Sequence, residues 1–373
     1  ASRMRLTQSS QFGYLNQDRS ITAINSFADG TQDSENTFDN RVDLSGKVVN
    51  WSAFFSDTLS LKNDIFHIST AGRYNNTKIN NLDNITATGP YTYPIYPSGN
   101  SGDNRNSLTG NHSYSRLNPS IGVSFTPAKT FNSYLSYSEA SRAPSPIELG
   151  CADPAYPCRL PNAMAGDPHL KQVVAKTWQA GARGLLPESQ IAWSANLFNT
   201  NLNDDIQFIS TNASGGGYFS NFEQTRRRGL ELSLSGKADK KLAYWASYTY
   251  LRATYQSEAD IQSPYNSQAD ENGNIRVKKG DVIPLMPQHH LKLNMVYAYD
   301  EKWSIGLGMT AVSYSYAQGN QNNAQKAGIR NLGICESGGT TVACTGTALA
   351  TPYNYSGYVL SNPSADGKVP GYA

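Results

Sequence analysis

No stretch of this chain approaches the ~20 apolar residues that a membrane-crossing helix needs, and none keeps the i, i+3, i+4, i+7 apolar spacing for three turns. Helical membrane spans and helical bundles are excluded on those grounds. A charge excess is missing as well. The net charge is +2 and charged residues make up 16%, without the one-sided basic footprint of a nucleic-acid-binding protein. The isolated run Arg226-Arg227-Arg228 therefore reads as a solvated or locally paired cluster, and no nucleic-acid partner is expected. Histidine and cysteine are scarce, at 5 and 4. No Ser–His–Asp spacing and no paired carboxylates suggest catalysis, so the chain is not read as an enzyme and no cofactor is expected. The opening ASRMRLTQSS shows neither an initiator methionine nor a signal peptide, which reads as a mature start or a fragment.

What the chain does have is tyrosine (23), glycine (31) and abundant Ser, Asn and Thr, with a mean hydropathy of −0.51. These are strand and turn formers. Apolar and polar residues alternate with period two in run after run: Trp51, Ala53, Phe55, Leu59; Ile121, Val123, Phe125; Ile191, Trp193, Ala195, Leu197; Leu291, Leu293, Met295, Tyr297; Ile305, Leu307, Met309, Ala311. With less regular segments near 2–14 and 39–48, about twelve strands are expected. Short turns fall at LKND (61–64), TPAKT (126–130), LPES (186–189), GKADKK (236–241) and YDEK (299–302). Longer loops at roughly 79–114, 142–170, 203–217, 255–288 and 317–356 alternate with them.

That alternation is the signature of an outer-membrane barrel, which has short periplasmic turns and long extracellular loops. Lipid outside and a wet lumen inside account for the two faces of each strand. Trp51, Trp193 and Trp303 are placed near the short-turn ends, where an aromatic girdle belongs. In QTRRRGLELSLSG (224–236), Leu230, Leu232 and Leu234 should face lipid and Glu231, Ser233 and Ser235 the lumen. Strict alternation also sends Arg226 and Arg228 outward, unless a bulge near Gly229 turns one inward; placement at headgroup height is the other resolution.

The cysteines form two local pairs, Cys151 with Cys158 in CADPAYPC and Cys335 with Cys344 in CESGGTTVAC. Zinc would require closer spacing and nearby histidines. Two disulfide-stapled loops in an oxidising compartment fit better, and both lie in long, extracellular loops.

Several stretches resemble one family. SEASRAPSPIEL (138–149) is similar to the Arg-Ala-Pro…Glu-Leu motif of TonB-dependent outer-membrane receptors. GDPHLKQVVAKTWQAGARG (166–184), RRRGLELSLSG and GDVIPLMPQHHLKLN (280–294) resemble further strand motifs of that family in the same order, and VPGYA (369–373) resembles a strand opening. One departure is Lys171-Gln172-Val173 where the family has Lys-Pro-Glu. The resemblance implies an all-β, transmembrane, antiparallel up-and-down barrel of about 22 strands. On that count residues 1–373 are part of one barrel domain, with roughly six strands before Ala1, about four after Ala373, and the plug domain outside this sequence.

The resemblance further implies active uptake across the outer membrane of a Gram-negative cell, driven by a TonB–ExbB–ExbD complex. The cargo it implies is a ferric siderophore or similar metal chelate, with cobalamin, haem or a carbohydrate as other members of the class. A passive porin or a structural, adhesin-type barrel is the alternative. Lipopolysaccharide and outer-membrane lipid are the surroundings. Tyr91, Tyr93, Tyr96 and Arg105 in a long loop are candidate ligand contacts, with loop packing as the competing role for the tyrosines. Arg142 is a second cation for an anionic chelate or a strand-end residue. His289-His290 do not suit a metal, His112 and His169 are the other loop histidines, and Asp204-Asp205 beside Asn201 and Asn203 read as a turn rather than a cation site. No metal site is expected.

Overall fold

The computed structural model describes residues 1–8, 12–15, 21–25, 42–84, 109–152, 158–159, 170–187, 190–210, 216–238, 241–263, 266–270 and 273–325, then short segments at 328–331, 334–337, 340–343, 358–361, 368–369 and 371. Eleven strands follow one another in a single antiparallel ladder. They are β1 (Ser2–Gln8), β2 (Val42–Leu61), β3 (Phe66–Asp83), β4 (Gly110–Ala128), β5 (Phe131–Arg142), β6 (Val173–Leu186), β7 (Ile191–Ser210), β8 (Gly216–Ala238), β9 (Leu242–Tyr255), β10 (His289–Ala298) and β11 (Ser304–Val312). A two-residue strand, Cys158–Arg159, adds to the start of β8 and makes the sheet twelve-stranded. The ladder is open, with β1 and β11 as its edges. A single helical turn, α1 (Pro146–Leu149), follows β5.

The short turns stand where the pattern put them, between β2 and β3, β4 and β5, β6 and β7, β8 and β9, and β10 and β11. In the first, Lys62, Asn63 and Asp64 all take positive φ, a conformation that Asn and Asp tolerate better than most residues. The strands overrun the expected loops. β3 continues to Asp83 and β7 to Ser210, inside the segments 79–114 and 203–217 that alternation alone assigned to loops. Beyond the bilayer both faces of a strand meet water or protein, so the apolar–polar alternation stops while the ladder of hydrogen bonds continues. For the same reason the segment 39–48 is not a separate strand; from Val42 onward it is the beginning of the 20-residue β2.

Residues opposite one another in an antiparallel pair lie on the same face, and the registers carry one apolar face across the sheet. Leu197 pairs with Leu230 and Leu230 with Tyr250; Trp193 pairs with Leu234, and Ala195 with Leu232. Many large apolar side chains of this face are exposed, up to 71% for Trp303 and Ile305. In a protein surrounded by water such a surface would be an aggregation site; against lipid it is the correct outside. Trp193 and Trp303 lie beside short turns as expected. Trp51 does not: it sits mid-strand in β2, its ring tilted against Tyr74 at 5.2 Å, toward the other rim of the apolar band with Tyr137 and Trp178, which pack at 5.0 Å. An alternating strand offers a tryptophan the same outward position at either rim, so spacing did not distinguish them.

Buried side chains collect at the long-loop end. The hairpin Ala259–Gln262/Asn274–Val277 packs Ile261, Ile275 and Val277 against Ile209, Phe222, Ala253, Tyr255 and Ile283. Asn266 fastens this cap by donating to Gly319 O (2.8 Å) and Asn322 Oδ1 (3.0 Å), and Ser263 Oγ also donates to Gly319 O (2.7 Å).

Candidate functional site: the polar inner wall and its rim

The face opposite the leucines is built from short polar side chains that bond across strands. Arg73 of β3 donates from Nη2 to Ser52 Oγ (2.8 Å) and from Nε to Asn75 Oδ1 (2.9 Å). With Asn50, Thr77 and Tyr114 these residues line a cavity of about 400 Å³. Further round the wall, Tyr134 OH donates to Asn196 Oδ1 (3.1 Å), and Asn196 Nδ2 donates to Glu231 Oε2 (3.1 Å). Thr177 pairs with Thr200 (2.9 Å) and Ser194 with Ser233 (2.7 Å). Such a surface can form and release hydrogen bonds with a polar solute. Large apolar side chains also stand on this face, among them Phe54, 75% exposed opposite Arg73, and Trp245, opposite Ser235.

Nearer the long loops the wall acquires buried charge. Asp205 accepts from Thr225 Oγ1 (2.7 Å), Gln207 Nε2 (2.8 Å) and Arg227 Nη2 (3.1 Å). Asp204-Asp205 is thus not a turn. Both residues lie inside β7, and Asp204 takes φ 53, which interrupts the ladder there. A left-handed Asp is tolerated in a strand much as in a turn, so the local sequence reads the same in both. Lys171 stands 3.4 Å from Asp204, and Gln172 Nε2 donates to Ser115 O.

The RAPSPIEL segment closes the rim. Pro144 and Pro146 hold the chain out of the strand, and Ser145 and Glu148 form a reciprocal capping box on α1. Arg142 bonds both Glu148 oxygens, at 2.7 and 3.0 Å. Burial raises the Glu148 pKa, but Arg142 and the Ser145 N–H outweigh it and hold the carboxyl below its ordinary value. Arg142 is therefore engaged at the strand end. The turn delivers Leu149 into a buried cluster with Ile79, Tyr114, Leu170, Val173 and Ile206. Cys151 follows, buried, its Sγ 3.5 Å from Gly217 O. Cys158 pairs in register with the same Gly217.

The other candidates separate clearly. Tyr91, Tyr93, Tyr96 and Arg105 lie outside the described residues, as do His169 and Cys344. Cys335 is on the hairpin Ile334–Ser337/Thr340–Ala343, opposite Val342. His289 packs tilted against Tyr250 and bonds Tyr248 OH at 2.8 Å, on the outward face. His290, the next residue of the strand, points the other way, so the two do not share a ligand. The inner-wall set Arg73, Asn75 and Thr77 was not singled out in the sequence reading, which followed the apolar face of each strand; the period-two pattern of RYNNTKI places all three on the opposite face.

The direction of Arg226 and Arg228 follows from the register. The register runs without a shift through Gly229 on both sides, so no bulge turns either inward. Both stay on the leucine face, and Arg227 alone enters the lumen side.

A family model described as TonB dependent receptor-like, beta-barrel, matches residues 3–372. The ferrioxamine receptor of Yersinia enterocolitica is 25% identical over 217 residues, 58% of this chain and 25% of that protein. Among solved structures, the siderophore receptor PiuA of Acinetobacter baumannii superposes with a TM-score of 0.52 at 17% identity, over 74% of this chain and 35% of PiuA. The ferric-catecholate import receptor Fiu of K12 E. coli gives 0.51 at 18%, over 76% and 36%. The chain spans about a quarter of the length of the first and about a third of the other two.

Proposed function

The chain belongs to the TonB dependent receptor-like β-barrel family, and on that premise we propose that it forms part of the wall of an outer-membrane receptor importing a ferric siderophore or a similar metal chelate. The carrying observation is the two-faced wall: an outward band of exposed Leu, Ile and Trp, and an inward ladder of Ser, Thr, Asn, Tyr and Arg side chains around Arg73. A wall of that kind lets a polar solute pass without trapping it, because each hydrogen bond surrendered is replaced by the next. Three similar proteins carry names that refer to ferrioxamine, a siderophore and a ferric catecholate, which supports the cargo class.

In this reading the short turns are periplasmic and the long loops extracellular. Tyr91, Tyr93, Tyr96 and Arg105 contribute to ligand capture, Cys151–Cys158 and Cys335–Cys344 staple two outer loops, and a plug domain is coupled to a TonB–ExbB–ExbD complex. The convergence of Cys151 and Cys158 on Gly217 supports the first of those staples. Uptake of radioiron as ferrioxamine or as a ferric catecholate tests the proposal, in cells with and without the full-length gene. Saturable uptake abolished by an uncoupler is the expected result. Diffusive uptake indifferent to the uncoupler would overturn it in favour of a passive pore.

A further inference from the structure

The outward face carries basic side chains just where its apolar band ends. Lys176, Arg228 and Arg252 each stand ten residues from the short-turn end of their strand, at Leu186, Ala238 and Leu242. Arg226 is two residues further along β8. A strand tilted by about 40° climbs about 2.5 Å per residue, so ten residues reach about 25 Å, the height of a lipid-facing band. The registers make these residues neighbours. Asn201 pairs with both Lys176 and Arg226, while Arg228 pairs directly with Arg252.

Two like charges directly opposite each other destabilise a sheet, and these two have no answering carboxylate. Among the described residues neither Arg228 nor Arg252 takes part in an ion pair. Arg226 spends only its Nε, on Asn201 Oδ1 at 2.8 Å. The acid opposite Lys176 is Glu139, already held by Arg116 Nη2 (2.6 Å) and Tyr137 OH (2.7 Å). Directly beneath the arginines, on the same face, is a shallow cavity of about 490 Å³ walled by Trp178, Leu197, Leu230 and Tyr250, with Arg228 on its edge. A cationic fork above an apolar groove matches one molecular shape, an anionic headgroup joined to an acyl chain.

We propose that Lys176, Arg226, Arg228 and Arg252 form a site for a phosphate-bearing, acylated lipid of the outer leaflet. Its phosphate lies between Arg228 and Arg252, where guanidinium forks bind phosphate best, and one chain lies in the groove over Leu230. The bound phosphate supplies the counter-charge that the arginine pair lacks. The inference rests on the outer-membrane reading above, and its test is separable from it.

The full-length receptor in detergent is titrated with a diphosphorylated acylated disaccharide lipid, with the same lipid dephosphorylated, and with inorganic phosphate, and bound lipid is read by native mass spectrometry. The phosphorylated lipid should bind saturably. Dephosphorylation, or the double variant Arg228→Gln/Arg252→Gln, should weaken binding about tenfold or more. Arg228→Lys/Arg252→Lys should recover part of it, and inorganic phosphate should not compete. Equal binding of the dephosphorylated lipid, full binding by the glutamine variant, or displacement by inorganic phosphate would each overturn the site. Failure to fold as a barrel in outer membranes would instead defeat the underlying reading, and loss of heat-modifiable electrophoretic migration reports that separately.

Discussion

Ile305 and Ile275 are the same residue type in strands of the same chain, yet Ile305 is 71% exposed and Ile275 is 1% exposed. The first belongs to the wall, where the apolar side chains are the outer surface. The second belongs to the cap, an ordinary hydrophobic core under the hairpin Ala259–Gln262/Asn274–Val277. The chain thus solves two solvent problems with one kind of element. In the wall, lipid replaces a core, and stability rests on the continuous ladder and on polar pairs across the inner face. In the cap, water surrounds the strands and apolar contact must come from protein.

Truncating each isoleucine breaks the comparison most directly. Ile275→Ala should cost the cap about 2–5 kcal/mol, since it leaves a void with no solvent to fill it. Ile305→Ala should change wall stability by within about 0.5 kcal/mol, because lipid tails close over a missing side chain. Hydrogen exchange on the reconstituted receptor measures both: cap amides should exchange faster in the first variant, and wall amides should be unchanged in the second. Equal losses would mean that the wall also depends on burial of its outward side chains.

A smaller effect sharpens the contrast between the rim and the cap. Glu148 is held below its ordinary value, so its contribution is present above the unfolded carboxyl pKa of about 4.3 and is lost as pH falls through the lower folded value. Asp281, beside the cap, is shifted up by burial, against the pull of the Lys278 N–H and its charge. The folded state therefore takes up that proton more readily than the unfolded chain, and the strain it imposes at neutral pH is relieved on acidification. Below about pH 4 the rim turn should open while the cap holds or tightens. Amide exchange at Leu149 and Gly150, compared with Ile275, follows both. Ser145→Ala should loosen the same turn by about 1 kcal/mol at neutral pH.

The wall was legible in the sequence wherever two different solvents imposed alternation. The Leu230–Leu232–Leu234 run, the five short turns and the outward direction of Arg226 and Arg228 follow from that pattern alone. Legibility ends where the bilayer ends. The upper parts of β3 and β7 lack the alternation, the four-residue strands ADIQ and NIRV are too short to show a period, and the left-handed Asp204 inside a strand has a turn-like sequence. The inner-wall site was half readable: Glu231 and Ser233 were placed correctly, while Arg73, Asn75 and Thr77 share one face of RYNNTKI that the apolar pattern did not bring out. The network of Asp205 with Thr225 and Arg227 depends on strands brought together by the fold, and no local spacing encodes it.

The two-faced wall is tested most directly by placing a nitroxide side chain, one position at a time, at residues 230–235 of the full-length receptor in bilayers. An unnatural amino acid would carry it, leaving the cysteines untouched. Collision with oxygen, which concentrates in lipid, should peak at Leu230, Leu232 and Leu234. Collision with a water-soluble nickel chelate should peak at Glu231, Ser233 and Ser235. A uniform profile, or one with the two sets exchanged, would contradict the account.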